Sequence, residues 1–182
     1  MRFLLDVDGV VADLIGYVFQ KLQDKFGNQV LLKKENVKEF YFFKELPSDQ
    51  ADYCKQLLSE PGCACVLNVM PGAVEGVKKI KEAGHEVFWL TSKYKHSKTW
   101  AHDRDKWLKE YFDVSPNDVI YAHNKFLVGN ADVFVDDKIE NIKLWQNENN
   151  GIALLYTQSY NKDELSLRRF TWKDIDSFLK EN

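Results

Sequence analysis

From residue 71 onward the chain alternates short apolar runs with stretches of amphipathic spacing. Val87-Phe88-Trp89-Leu90, Val119-Ile120-Tyr121, Val133-Phe134-Val135 and the run Ile152 to Tyr156 are apolar on consecutive positions and too short for helices. Strands covered on both faces read this way. Between them Val74, Val77 and Ile80 follow Pro71-Gly72 at helical spacing. Trp100, Arg104, Trp107, Leu108 and Tyr111 do the same, as do Ile139, Ile142 and Trp145 before Asn149-Asn150-Gly151. A first strand, Phe3 to Val7, stops at Asp8-Gly9, and a last helix starts near Thr171 with Ile175, Phe178 and Leu179. This alternation predicts an α/β fold, a Rossmann-like parallel sheet with helices on both faces.

The residues after the first strand break the alternation. Ile15, Val18, Phe19, Leu22 and Phe26 give one helix, closed by Gly27. Ala51, Cys54, Leu57 and Leu58 give another, from Pro47-Ser48 to Pro61-Gly62. The stretch 28–46 is mixed and carries the aromatic cluster Phe40-Tyr41-Phe42-Phe43. No run in this region reads as a strand. The expected organisation is an α/β core domain from residues 1–13 and 71–182, with residues 14–70 inserted as a helical cap. With 182 residues, 45% of them apolar, the chain can bury roughly 70% of its unfolded surface without disulfides.

Composition narrows the function. No apolar run approaches the ~20 residues of a membrane span, and the apolar start after Arg2 is already interrupted at Asp6, so neither a membrane nor a signal-peptide segment is expected. A net charge of −3 argues against binding polymeric nucleic acid, though a few local cations suffice for a small phosphate ester. Cys54, Cys63 and Cys65 are an odd set and read as reduced thiols, consistent with a cytoplasmic location. Cys63-Ala64-Cys65 has no partner Cys-x-x-Cys or His nearby and reads as loop or core.

In open parallel sheets the ligand crevice lies beyond the carboxyl ends of the strands. There the first strand delivers Asp6 and Asp8, and the second Thr91 and Ser92. The third leads through Ala122 and His123 to Lys125, and the fourth delivers Asp136 and Asp137. Alone, a strand-end aspartate is a cap or turn residue, and a lone lysine is a solvated charge. Clustered carboxylates, however, repel one another unless a cation joins them, and hard oxygen ligands suit Mg²⁺. A lysine and hydroxyls beside that cation suit a phosphate.

Asp6-Val7-Asp8-Gly9-Val10-Val11-Ala12-Asp13 resembles the first motif of the haloacid dehalogenase superfamily. Thr91, Lys125 and Val135-Asp136-Asp137 match its second, third and fourth motifs in order. Met70 to Lys78, Thr91-Ser92, Trp107 to Phe112 and Ala131 to Asp137 are similar to the 5′(3′)-deoxyribonucleotidases within it, over about residues 2–145. The resemblance implies a superfamily core with a small helical (C1-type) cap. It implies an Mg²⁺-dependent phosphoric monoester hydrolase that takes nucleoside monophosphates to nucleoside and phosphate, and it leaves room for a homodimer.

The same resemblance distributes the roles. Asp6 is the expected nucleophile, forming an aspartyl-phosphate, and Asp8 the general acid and base. Asp6, Asp8 (through its backbone carbonyl), Asp136 and Asp137 are the expected metal residues, with the direct ligand of the last pair left open. Thr91, Ser92, Lys95 and Lys125 are the expected phosphate side. Phe40, Tyr41 and Phe42 are the expected base-stacking patch, with plain cap core as the competing reading. His123 stands where relatives carry arginine, and Leu14 where they carry phenylalanine. Two other functions stay in view: a phosphatase for another small ester such as a sugar phosphate, and a non-catalytic phosphate-sensing module. A receiver-type module of the latter kind would need an Asp after the third strand, where His123-Asn124-Lys125 stands.

Overall fold

The computed structural model describes residues 1–182. Strands β1 (Arg2–Leu5), β2 (Glu86–Thr91), β3 (Val119–Tyr121), β4 (Val133–Asp136), β5 (Ile152–Tyr156) and β6 (Arg169–Phe170) form one sheet in the order β3-β2-β1-β4-β5-β6. Every neighbouring pair is parallel. The expected sheet had five strands; β6 is the addition. It pairs only Arg169 and Phe170 with Leu155 and Tyr156, too short a stretch to leave a periodic signal in the sequence.

Alternation along each strand divides the sheet into two packed faces. Phe3, Leu5, Trp89, Val133, Val135 and Leu154 point to one face and pack with helices α3 (Ala73–Glu82), α4 (Trp100–Phe112) and α6 (Ile175–Glu181). Leu4, Leu90, Phe134, Ala153 and Leu155 point to the other, under Ile142 and Trp145 of α5 (Ile139–Glu148). Burying each such side chain contributes about 1.5–3 kcal/mol. The strand order reverses between β1 and β4, so their carboxyl ends open the crevice of the sheet.

Residues 14–70 contribute no strand to this sheet. Helices α1 (Leu14–Phe26) and α2 (Ser48–Ser59) pack against each other through Val18, Phe19, Leu22, Cys54, Leu57 and Leu58. Phe42, Leu46, Cys63 and Ala64 complete this separate apolar cluster, which also takes in Trp100 from α4. The chain enters and leaves the region side by side: Asp13 N donates to Asn68 O at 2.8 Å and Met70 N to Val11 O at 2.7 Å. Asp13 caps α1 by accepting from Gly16 N at 2.9 Å, and Lys34 Nζ reaches both of its oxygens at 2.7 and 2.5 Å.

Candidate active site

β1 ends one residue before Asp6, whose backbone N–H still bonds Val135 O of β4 at 2.9 Å. That ladder bond holds Asp6 at the reversal of the sheet. The chain then turns sharply at Gly9, with φ of +81°. A Cβ there would lie 1.9 Å from Asp137 Oδ2, so the turn rests directly against the end of β4. Only glycine satisfies both the left-handed backbone and the close approach.

Lys125 is 3% exposed, and its Nζ lies 2.6 Å from Asp6 Oδ1 and 2.7 Å from Asp136 Oδ2. Asp136 also accepts from Lys138 N at 2.8 Å and from Asn141 Nδ2 at 3.0 Å on both oxygens. Its carboxylate is thus occupied by protein donors. Asp137 accepts instead from the Tyr160 hydroxyl and lines the adjoining cavity. Asp6, Asp136 and Asp137 each offer an oxygen within 4.8 Å of the others.

The electrostatics of this cluster are unbalanced, since three carboxylates share one lysine. Burial pushes the Asp6 carboxyl up to about 7, against the pull of Lys125 and with the push of Asp136. Burial, then the Asp136 and Asp6 charges, raises Asp137 well above the usual carboxylate range. Burial works against the charge on Lys125, yet Asp136 and Asp6 together hold its pKa above the ordinary lysine value. Three buried hard-oxygen donors with surplus negative charge are the donor set a small divalent cation takes.

Asp8 stands apart from that cluster. Its Oδ1 accepts from Arg104 Nη2 at 2.5 Å, and burial raises its pKa against the opposing Arg104 and Lys125 charges. Across the crevice the Thr91 hydroxyl, at the end of β2, is buried with no hydrogen-bond partner in the protein. Such an orphan calls for a ligand or water. Ser92 Oγ donates to Ala122 O at 2.8 Å and lines the same cavity.

The cavity, about 490 Å³, continues from these polar groups up to residues 14–70. Phe40, Tyr41 and Phe42 all line it, with the Phe40 and Tyr41 rings 5.2 Å apart and nearly perpendicular. Tyr41 is 52% exposed, which separates it from the buried Phe42, packed on Phe19 and Phe43. Lys138 bridges the two sides: its Nζ bonds the Tyr41 hydroxyl at 3.1 Å and sits 5.0 Å from the Phe40 ring centre. Lys95 is exposed and absent from the lining; Lys93, also exposed, borders the cavity with its Nζ 5.4 Å from the Tyr121 ring centre. Leu14 and His123 both line the cavity.

Sequence reasoning placed Arg104 on its helix without giving it a role, and passed over Lys138, Asn141 and Tyr160. Arg104 did leave a signal, a charge on the inward face of a helix otherwise marked by Trp100, Trp107 and Leu108. Tyr160 left none, because its loop has no periodicity.

The family described as "5' nucleotidase, deoxy (Pyrimidine), cytosolic type C protein" matches residues 1–181. A Staphylococcus epidermidis protein named "Putative 5'(3')-deoxyribonucleotidase" is 26% identical over 180 residues, covering 98% of this chain and 95% of its own. The human "5'(3')-deoxyribonucleotidase, mitochondrial" is 29% identical over 147 residues, 76% of this chain and 62% of the human one. Among solved structures, a HAD family hydrolase from Deinococcus radiodurans with bound phosphate and sodium has a TM-score of 0.60 at 14% identity, covering 99% of this chain and 95% of that one. A D,D-heptose 1,7-bisphosphate phosphatase from B. bronchiseptica, complexed with magnesium and phosphate, has a TM-score of 0.57 at 12% identity over the whole of both chains. These two share the fold. With its parallel sheet and the match along residues 1–181, the chain belongs to the deoxy-pyrimidine 5′-nucleotidase, cytosolic type C family of phosphoric monoester hydrolases.

Proposed function

We propose that this enzyme is an Mg²⁺-dependent deoxyribonucleotidase that hydrolyses nucleoside monophosphates through an aspartyl-phosphate on Asp6. The observation that carries the reading is the buried Lys125, tied to Asp6 and Asp136, facing a cavity that also holds the unpartnered Thr91 hydroxyl and the exposed Tyr41 ring. Residues 1–13 and 71–182 act as the catalytic core, and residues 14–70 as the cap that closes over the substrate.

Asp6 and Asp137, with the backbone carbonyl of Asp8, would hold the cation. Asp136 acts behind them, orienting Lys125. When bound, Mg²⁺ supplies positive charge that keeps Asp6 ionised and offsets the charge of the phosphoryl group.

The protein's own groups do the rest. Thr91, Ser92 and Lys125 bind the phosphoryl oxygens, and the Lys125 charge matters most as the transition state forms. An Asp6 oxygen attacks phosphorus, the ester P–O bond breaks, and its electron pair stays on the departing oxygen. Asp8 gives that oxygen a proton and later takes one from the water that hydrolyses the aspartyl-phosphate. Phe40 and Tyr41 present ring faces to the base. Stacking of this kind contributes about 1–3 kcal/mol per base and tolerates many bases.

Steady-state hydrolysis of deoxy- and ribonucleoside monophosphates beside a panel of sugar phosphates, with and without Mg²⁺, tests the reading. Preference for nucleotides and loss of turnover in chelator are expected. A preference for sugar phosphates would remove the nucleotide assignment while keeping the phosphatase. Asp6→Asn should abolish turnover while leaving the fold intact, because an amide neither attacks phosphorus nor carries charge to the cation. Activity within a few-fold of wild type would falsify the nucleophile assignment.

A further inference from the structure

Arg104 is fully buried, with no side-chain surface open to solvent. A guanidinium so placed is costly unless it is paired. Its one hydrogen bond runs from Nη2 to Asp8 Oδ1 at 2.5 Å, while Nε and Nη1 have no protein partner. The rings of Trp100 and Trp107, one turn to either side on α4, lie 5.4 and 5.3 Å from its centre. They fix the plane of the fork and exclude the water that would otherwise weaken its field. The preceding residue anchors the helix. Asp103 accepts from Gly62 N at 2.8 Å and from Thr99 Oγ1 at 2.5 Å, which pins α4 to the returning end of the inserted region. An arginine serving only to brace the fold would be expected to use its remaining donors. This one is committed to a single carboxylate oxygen at the mouth of the site.

We propose that Arg104 is a positioning residue for proton transfer by Asp8. Nη2 holds Oδ1, which leaves Oδ2 as the oxygen that carries the proton. When the P–O bond of the ester breaks, its electron pair remains on the departing oxygen and the Oδ2 proton moves to it. Asp8 is left as a carboxylate directly against the guanidinium, so the charge that develops on Asp8 is stabilised as it appears. The same pairing holds the carboxylate ready to take a proton from water in the second half of the reaction. The inference rests on the reading of Asp8 as general acid, and the experiment keeps the two separable.

Single-turnover rates would be measured for Asp8→Asn, Arg104→Gln and the double variant, on a nucleotide and on p-nitrophenyl phosphate, whose leaving group needs no proton. Asp8→Asn should slow the nucleotide far more than the aryl ester, within the roughly 10²–10⁴-fold that general acid catalysis contributes. Arg104→Gln should show the same bias at smaller size, and the double variant should be no slower than Asp8→Asn alone. Arg104→Lys, which keeps the charge and a donor, should recover part of the rate. Equal loss on both esters from Arg104→Gln, or a loss that multiplies with that of Asp8→Asn, would overturn the assignment of Arg104 alone. An Asp8→Asn enzyme without leaving-group bias would overturn the acid role and this inference with it. Should Arg104→Gln fail to fold, Arg104→Lys in both backgrounds completes the same cycle.

Discussion

On the floor of the cavity Lys125 is 3% exposed and tied to two carboxylates; on its wall Tyr41 is 52% exposed and reaches across to the sheet through a bond to Lys138. The floor is held redundantly. Asp136 alone accepts from Lys125, Asn141 and the Lys138 backbone, and each of those groups comes from the end of a strand or the start of a helix. The wall is held by aromatic edges and a flexible lysine. Chemistry at phosphorus needs atoms fixed to a fraction of an ångström, whereas stacking on a base needs only a face at the right height. The contrast suggests where mutations should destroy the enzyme and where they should only retune it.

The largest expected effect is on the floor. Lys125→Met leaves Asp6 and Asp136 buried without their cation. Removing one partner of a buried pair costs about 3–5 kcal/mol, which for a chain of this size is a drop of roughly 6–20 °C in melting temperature. Turnover should vanish. Mg²⁺ should restore part of the lost melting temperature, since it too neutralises the carboxylates. A variant that melts like wild type in chelator would mean that the ion pair does not hold the floor together.

Neighbouring aromatics sharpen the contrast within the wall itself. Phe42 is buried against Phe19 and Phe43, so Phe42→Ala should cost about 3–5 kcal/mol of stability and depress all substrates together. Tyr41→Ala should leave the melting curve nearly unchanged. It should raise KM for nucleotides, lowering kcat/KM roughly 5- to 150-fold, and spare a small ester that has no base. Equal losses on both esters with a lowered melting temperature would return Tyr41 to the cap core.

The smallest effect belongs to Lys138. An exposed cation–π contact is worth about 0.5–1 kcal/mol, so Lys138→Met should change nucleotide kcat/KM by only a few-fold and leave p-nitrophenyl phosphate alone. A loss as large as that of Lys125→Met would show that Lys138 belongs to the floor.

Much of the fold was legible because its signals are local. Val87 to Leu90 and Val133 to Val135 announce buried strands by composition alone, and Val77 and Ile80 announce a helix by spacing. Asp6, Thr91, Lys125 and Asp137 could be collected before any contact was known, since strands of a parallel sheet deliver their ends to one edge. The strand β6 escaped, because two residues carry no period. Lys95, expected at the phosphate from the resemblance, lies in the segment after β2, which has no regular structure to dictate where its side chain points; it is exposed and outside the cavity lining.

What the sequence determined by itself was the α/β alternation, the helical character of residues 14–70 and the set of strand-end side chains, all consequences of periods a few residues long. The tertiary structure decided how those side chains divide the work. Asp136 spends its oxygens on Lys125 and Asn141, while Asp137 bonds Tyr160 and lines the cavity; adjacent in the chain and in one cluster, they differ in their partners, and only packing tells them apart. It also separated exposed Tyr41 from buried Phe42. Above all it joined Arg104 to Asp8 across 96 residues of chain, a contact that no local pattern encodes because it exists only once α4 is docked against the sheet.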